Sequence, residues 1–315
     1  MDSSASPDTD AEQVRARVAW YYFIGGLTQK EIADKVGITR LRVNRIIGQV
    51  RGEGLVHTTL RLPLADCIEL QEQLRRKFAL EEVVVIPALD DPDENRRLVG
   101  EAAGTLLNNL LTDGKGIGVG WGRTLSAAAK RMTHRSAGST WVATLMGGLT
   151  RGSGINTFEV ATEFARNIGG ECYYLTAPIY CPSPESRETL MTHDGLIQSM
   201  RRARGAHYAL VSSGDLTEKS LLASTQTVVE SVKTLKRAGA VGDLLGIFLD
   251  EQGNPVAHEL NERVIALDPA GLRAIPKAIL ASGGQHKVKI VRAILLGGYV
   301  KWLVTDQKVA SSLLR

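Results

Sequence analysis

The chain has 315 residues, 43% of them apolar and 23% charged, with a formal net charge of +4; at roughly 100–200 residues per domain this suggests about two folded domains and excludes general disorder. No apolar run approaches the roughly 18–20 residues of a membrane span, and the polar, acidic first dozen residues lack the hydrophobic stretch of a secretory signal. Cys67, Cys172 and Cys181 are odd in number and form no C-x-x-C pair, which argues against a disulfide framework or zinc site and for a reducing cytoplasm.

Taken in chain order, residues 1–12 read as a disordered tail and 13–62 as a small helical head. Val18, Trp20, Tyr21, Phe23 and Ile24 make the apolar end of a first helix, closed by Gly25-Gly26. Thr28-Gln29-Lys30-Glu31 has the form of a capping box, so a second helix starts there; Ile32, Ala33 and Val36 give it one apolar face and Gly37 ends it. Thr39 caps a third helix to about Gly52, in which Val43, Ile46, Ile47 and Val50 recur at i, i+3, i+4, i+7. Leu41, Arg42, Asn44, Arg45 and Gln49 then project from its other side. Two short helices, a glycine turn and a basic outward face constitute a helix-turn-helix.

Charge placement supports the same reading. From Thr28 to Arg61 there are seven cations against three anions, so this stretch carries the entire +4 and the rest is neutral, with 31 of each sign. Duplex DNA fits that chemistry: Arg pairs bidentately with guanine, Asn or Gln with adenine, and Leu touches a thymine methyl. Arg42, Asn44 and Arg45 are the candidate base readers, with Leu41 as a methyl contact; Gln49 shares their face and Thr39 stands at the helix start. Lys30, Lys35, Arg40 and Arg51 are candidate phosphate contacts. Residues Gly54 to Leu60 read as a short strand leaving the module as a small wing, and Leu62-Pro63 marks the domain boundary.

The remaining 63–315 open with an amphipathic helix, Asp66 to Phe78, whose Leu70, Leu74 and Phe78 offer a stripe to link and pair two protomers. Strands are then expected at 83–86, 116–120, 141–145, 172–175, 208–212, 246–249, 278–281 and 302–305, with helices between most of them. Such alternation predicts a doubly wound α/β sheet, in which ligands lie at the carboxyl ends of strands. Five loops there are candidates for an effector site. Gly118 to Thr124 brings Gly120, Gly122, Arg123 and Thr124 to a helix start, where backbone N–H groups and a cation suit a phosphate. Its spacing is not G-x-G-x-x-G, no acidic residue closes the next strand, and no G-K-[ST] dipeptide follows, so a phosphorylated small molecule is favoured over NAD or ATP. Gly147-Gly148 lies in the second loop, Ser212 to Asp215 is the third, Gly242-Asp243 the fourth, and Gly283 to Lys287, with Gln285, the fifth. Arg123 or Lys287 would take the phosphate and Asp243 the hydroxyls of a sugar or polyol. No nucleophile elbow and no His/Glu/Asp set with metal spacing is present, His193 reads as a helix cap, and no cofactor or metal is called for.

With these motifs assembled, the chain from about Val18 to Leu314 resembles a SorC-type (sugar-binding) transcriptional regulator. The motifs that carry the resemblance are G-L-T-Q-x-E-I-A from Gly26 to Ala33, Gly-Arg-Thr at 122–124, and A-x-G-[DE]-x-x-G-x-F-x-D from Ala240 to Asp250. A-S-G-G-x-x-K from Ala281 to Lys287 and L-V-T-D from Leu303 to Asp306 complete the set. The resemblance implies a helix-turn-helix domain followed by a Rossmann-like effector domain similar to phosphosugar isomerases without catalysis. It further implies double-stranded operator DNA and a sugar or polyol phosphate as partners, and assembly as a dimer or tetramer. Two departures stand out: Asp243 where Glu is frequent, and Arg123 in place of a small or hydroxyl residue. Segments 147–153 and 180–184 look especially similar to erythritol-type polyol regulators. A repressor of a carbohydrate or polyol catabolic operon is the favoured reading; the competing one is a sugar-phosphate isomerase or deaminase with Asp243 or His193 as base. A regulator has a use for the basic head and an enzyme has none.

Overall fold

The structure, a computed structural model, describes residues 7–53, 55–56, 65–133, 139–149, 155–217 and 220–315. The chain divides into two compact units, Met1–Leu62 and Pro63–Arg315. The first contains α1 (Pro7–Phe23), α2 (Gln29–Val36) and α3 (Arg40–Gly52). Thr28 and Glu31 close the capping box on α2 in both directions, and Gly37, at φ +72°, ends the helix in the left-handed conformation that spares glycine a Cβ clash. Thr39 caps α3 by accepting from the Arg42 N–H at 3.3 Å. Val18, Ile32, Val43, Ile46, Ile47 and Val50 meet in a small buried core, each contributing roughly 1.5–3 kcal/mol by its removal from water. Residues 7–12, expected as tail, are helical. Polar composition predicts little burial, but adding turns to a nucleated helix needs no apolar face. The expected strand at 54–60 lies mostly outside the described residues; Leu55 and Val56 belong to no strand.

The second unit opens with α4 (Ala65–Phe78), β1 (Glu82–Ile86), α5 (Pro92–Leu110), β2 (Gly116–Val119), α6 (Arg123–Ala129) and β3 (Trp141–Thr144). α7 (Thr157–Ile168), β4 (Glu171–Tyr173), α8 (Pro184–Leu190), α9 (Asp194–Arg204), β5 (Tyr208–Val211), β6 (Ser213–Asp215) and α10 (Gln226–Arg237) follow. The chain ends through β7 (Gly242–Leu244), β8 (Ile247–Leu249), α11 (Glu259–Arg263), α12 (Pro269–Ala274), β9 (Lys277–Ala281), a 3-10 turn (Gln285–Lys287), α13 (Val288–Leu296), β10 (Trp302–Asp306) and α14 (Gln307–Leu314). Seven strands form one sheet in the order β1-β10-β9-β5-β2-β3-β4, every pairing parallel. Successive strand residues point to opposite faces. Leu303 packs among Leu74, Leu280 and Leu313 on one face, whereas Val304 packs among Val99, Leu125 and Phe164 on the other. The sheet is therefore doubly wound, as the strand–helix alternation predicts.

Two expectations are corrected. The 246–249 strand is not part of the parallel sheet: β8 pairs antiparallel with β7, and β7 with β6, in a separate three-stranded sheet. The loops expected at 213–215 and 242–243 are thus strands, too short and too rich in glycine and aspartate to show a two-residue period. The stripe on α4 also serves the chain's own core: Leu74 is fully buried, and Leu70 and Phe78, each partly buried, pack on the same cluster.

Helix α5 approaches α6 so closely that glycine is required at two positions. A Cβ on Gly100 would lie 2.2 Å from the Thr124 carbonyl oxygen, and one on Gly104 the same distance from that of Ala128. Replacing Gly104 with Ala is expected to push α6 outward and lower stability by about 1–3 kcal/mol, read as a lower urea midpoint; an unchanged midpoint contradicts the close approach.

Candidate functional site

In the head, α3 carries Leu41, Arg42, Asn44, Arg45 and Gln49 on its exposed side, together with exposed Arg40 at its start. Leu41 is 72% exposed, an arrangement that nothing in the head's own packing requires. Asn44 accepts a hydrogen bond from the Gln29 side chain at 3.3 Å, which orients its amide from α2. Thr39 spends its hydroxyl on the helix cap. Lys30 and Arg40 border one shallow groove with Tyr22, Leu27 and Thr28. Lys35 and Arg51 differ from the other cations: Lys35 lies over the Tyr21 ring at 5.1 Å, and Arg51 over Phe23 at 5.5 Å and Tyr22 at 5.7 Å. Cation–π packing gives these two a structural role as well.

In the larger unit the strand order reverses between β2 and β5: β3 and β4 lie to one side, β9, β10 and β1 to the other. Adjacent loops diverge at such a point and leave a crevice. Here it is a cavity of about 660 Å³. Gly122, Arg123 and Thr124 enter it from the β2 end, Asp243 from β7, and Gly283, Gln285 and Lys287 from the β9 end. The structure thus brings together seven of the ten residues expected at an effector site. Gly120, Gly147 and Gly148 are not among its lining residues. Gly120 donates its N–H to the Leu210 carbonyl, bracing β2 against β5. Gly147 and Gly148 donate theirs to Ile265 and Ala177; Gly148 instead borders a shallow apolar groove with Leu149, Phe158 and Pro178.

Charge of both signs lines the cavity, with exposed Asp90, Asp91 and Asp93 beside the cations of its open side. At its mouth stand exposed Arg123, at the uncapped start of α6, and Lys308, which pairs with Asp90 at 2.9 Å. At its floor lie Asp215 and Asp243, each 4% exposed, and Asp306, 1% exposed. Asp243 receives the Gly246 N–H at 3.0 Å, and Thr217 donates to both oxygens of Asp215 at 2.9 and 2.8 Å. Burial pushes the Asp243 carboxyl up to about 6, reinforced by Asp215 and opposed by the Gly246 N–H and by Lys287. Burial pulls the Lys287 ammonium below the usual lysine range, with Arg96 acting in the same sense; Asp215 and Asp243 hold it up. Lys287 makes no ion pair within 4.0 Å among the described residues, so it shares the floor's charge without being locked to either carboxylate.

Asp306 organises the side opposite Asp243. One oxygen accepts from Asn95 Nδ2 at 3.0 Å and from the Gly284 N–H at 2.7 Å, the other from the Val309 N–H at 2.9 Å. A Cβ on Gly283 would lie 2.7 Å from that carboxylate, and Gly284 sits at φ +96°; both glycines are needed to wrap the loop around it and aim Lys287 inward. Asp215, Asn95, Arg96, Asp306 and Lys308 were not among the expected site residues. Asp306 had a readable signal, a carboxylate ending one strand and starting a helix, and Asp215 ended a segment already read as a site loop. Asn95 and Arg96 had none, because only the placement of β1 beside β10 turns the start of α5 toward the cavity. His193 caps α9 by accepting from the Gly195 N–H at 3.2 Å and is not a lining residue.

Known proteins share both the sequence pattern and the fold. Residues 63–315 match the family described as "Putative sugar-binding domain". The "Transcriptional regulator LsrR" of Escherichia coli is 32% identical over 312 residues, spanning 97% of this chain and 95% of that protein. The "Erythritol catabolism regulatory protein EryD" of Brucella abortus is 27% identical, spanning 96% of each. In fold, the chain is similar to the full-length sorbitol operon regulator SorC of Klebsiella pneumoniae, with a TM-score of 0.75 and 24% identity over 97% of this chain and 100% of that one. A helix-turn-helix head joined to a doubly wound domain whose cavity lies at the strand-order reversal places the chain, with these relatives, in the family of SorC-type sugar-binding transcriptional regulators.

Proposed function

We propose that the protein is an operator-binding regulator of a carbohydrate or polyol catabolic operon, acting as a repressor, with a phosphorylated sugar or polyol as effector. The cavity carries this reading: Arg123 at its open side and Lys287 deeper in offer charge to a phosphate, and the buried carboxylates offer acceptors to hydroxyl donors. Gly122, Arg123, Thr124 and Lys287 are the proposed phosphate-side residues and Asp243 the hydroxyl acceptor, with Gly283 and Gln285 completing the wall. The names of the erythritol and sorbitol regulators support a polyol class. An isomerase or deaminase reading lacks support: the named relatives are regulators, and His193 is committed to capping α9.

In the head, Arg42, Asn44 and Arg45 are proposed to read base edges in the major groove, Leu41 a thymine methyl, and Gln49 an adjacent edge, with Thr39, Arg40 and Lys30 near phosphates. A helix-turn-helix reads two half-sites through a dimer, so self-association as a dimer or tetramer belongs to the same proposal. Differential affinity of the effector for the two operator-binding states need be only ~1–3 kcal/mol, about 5–150-fold in operator affinity. No helix among the described residues is long and apolar enough to cross a membrane, and a cytoplasmic place is proposed with the DNA-binding role.

Three outcomes are expected. Arg45→Ala should weaken operator binding by about 1–3 kcal/mol and relax preference at one base pair, whereas Lys30→Ala should weaken all sequences alike and reduce the salt slope by about 1; an unchanged affinity in a fixed-salt titration removes Arg45 from the reading set. Thermal-shift screening of the full chain against sugar and polyol phosphates should find a stabilising compound, worth ~2.7 kcal/mol at a hundredfold excess over Kd. Lys287→Ala should lose that response, and a normal response overturns the placement of the phosphate.

The third concerns pH. A carboxyl whose folded-state value is raised to about 6 makes the folded state hold a proton that the unfolded chain releases near pH 4. Its contribution to stability is therefore full below pH 4 and is lost as pH rises to about 6. Asp243→Asn should gain stability relative to the native chain across that window, on the order of 3 kcal/mol. Parallel pH–stability profiles of the two proteins would show that Asp243 is not so perturbed.

A further inference from the structure

The floor carboxylate Asp243 is held by a turn that has no business being stable by itself. Leu245 and Gly246, which join β7 to β8, both lie in the left-handed region, at φ +55° and +80°. Hairpin turns of this kind favour Asn-Gly or Asp-Gly, because a leucine Cβ crowds the backbone there. Two contacts hold it in place. The Leu245 side chain is buried, with its Cδ2 3.3 Å from where a Gly120 Cβ would stand. The Gly246 carbonyl accepts the Tyr180 hydroxyl at 2.6 Å, while the N–H of the same residue donates to Asp243 Oδ2 at 3.0 Å.

Tyr180 does not line the cavity. It comes from a segment anchored on both sides: Pro178 bridges Gly148 and Tyr180 bridges Val264. The residue before it, Ile179, fills the space beside Gly246, where a Cβ would come within 2.8 Å of its Cδ1. We propose that Tyr180 is a positioning residue for the effector site, its hydroxyl fixing the Gly246 carbonyl and, through the Gly246 backbone, the N–H that orients the Asp243 carboxylate. The inference rests on the reading of Asp243 as the effector's hydroxyl acceptor. It adds a residue from outside the cavity.

The groups that face Asp243 from the elements around it are Asp215 on β6, Lys287 at the start of α13 and Tyr180 itself; Arg96 acts on Lys287 and Arg263 on Tyr180. Among these influences, the Gly246 N–H is the one Tyr180 controls. Freeing the turn weakens a bond made to the charged carboxylate, and that favours the protonated form.

The test needs no effector, so it fails or succeeds apart from the ligand screen. The full chain is labelled with 15N-glycine and the Gly246 amide shift is followed with pH. The native protein should titrate near pH 6, and Asp243→Asn should abolish the transition, which assigns it. Tyr180→Phe, isosteric but for the hydroxyl, should raise the midpoint by half a pH unit or more, about a threefold change in the acid constant. It should also speed exchange of the Gly246 amide relative to that of Gly242. A Tyr180→Phe protein with lower thermal stability but an unmoved midpoint would reduce Tyr180 to a packing residue and overturn the proposal. So would a Gly246 transition that persists in Asp243→Asn.

Discussion

The single reversal of strand order between β2 and β5 is the constraint on which the larger unit depends. Parallel strands are joined by crossovers that must cover one face or the other. With β3 and β4 wound to one side and β5, β9 and β10 to the other, the connections leaving β2 and β5 part company. Neither can cover the gap above the strand ends, so a crevice remains there without any side chain having to carve it. Gly120, donating to Leu210, keeps the two diverging strands joined up to the edge of that gap.

Around the crevice, the most deeply buried charges are carboxylates. Burying a carboxylate is unfavourable unless donors meet it, and each floor aspartate has them: two backbone N–H groups and an amide for Asp306, a threonine hydroxyl for Asp215, one N–H for Asp243. Burial pushes the Asp243 carboxyl upward, and the one N–H that meets it opposes that shift. The mouth is different. Arg123 and Lys308 remain solvated there, where a phosphate can meet them without stripping both partners of water.

The head works by the same division between what packs and what is left over. Val43, Ile46, Ile47 and Val50 spend one side of α3 on the core, and the rigid capping at Thr28 and Thr39 sets the helix ends. What remains outward is a set of side chains with base-edge chemistry and little to do in the free protein. Two of the head's cations are partly withdrawn from that set by aromatic rings, a distinction that net charge conceals.

Local pattern was enough to establish the three head helices, their caps and buried stripe, the strand–helix alternation, and the glycine-rich loops that carry Gly122, Arg123, Thr124 and Lys287. These features are carried by residues near each other in sequence: capping pairs three apart, stripes at helical spacing, and turns that only glycine makes easily. Tertiary structure decided what depends on neighbours distant in sequence. It withdrew Gly147 and Gly148 from the cavity, turned the 246–249 strand into a separate antiparallel sheet, and buried the α4 stripe against its own unit. It also brought in Asn95, Asp215, Asp306 and, through the Gly246 turn, Tyr180. The physical reason is common to all of these. Short strands and polar side chains carry no periodic signal of their own, and their partners lie tens to hundreds of residues away, so only the packed sheet brings donor and acceptor together.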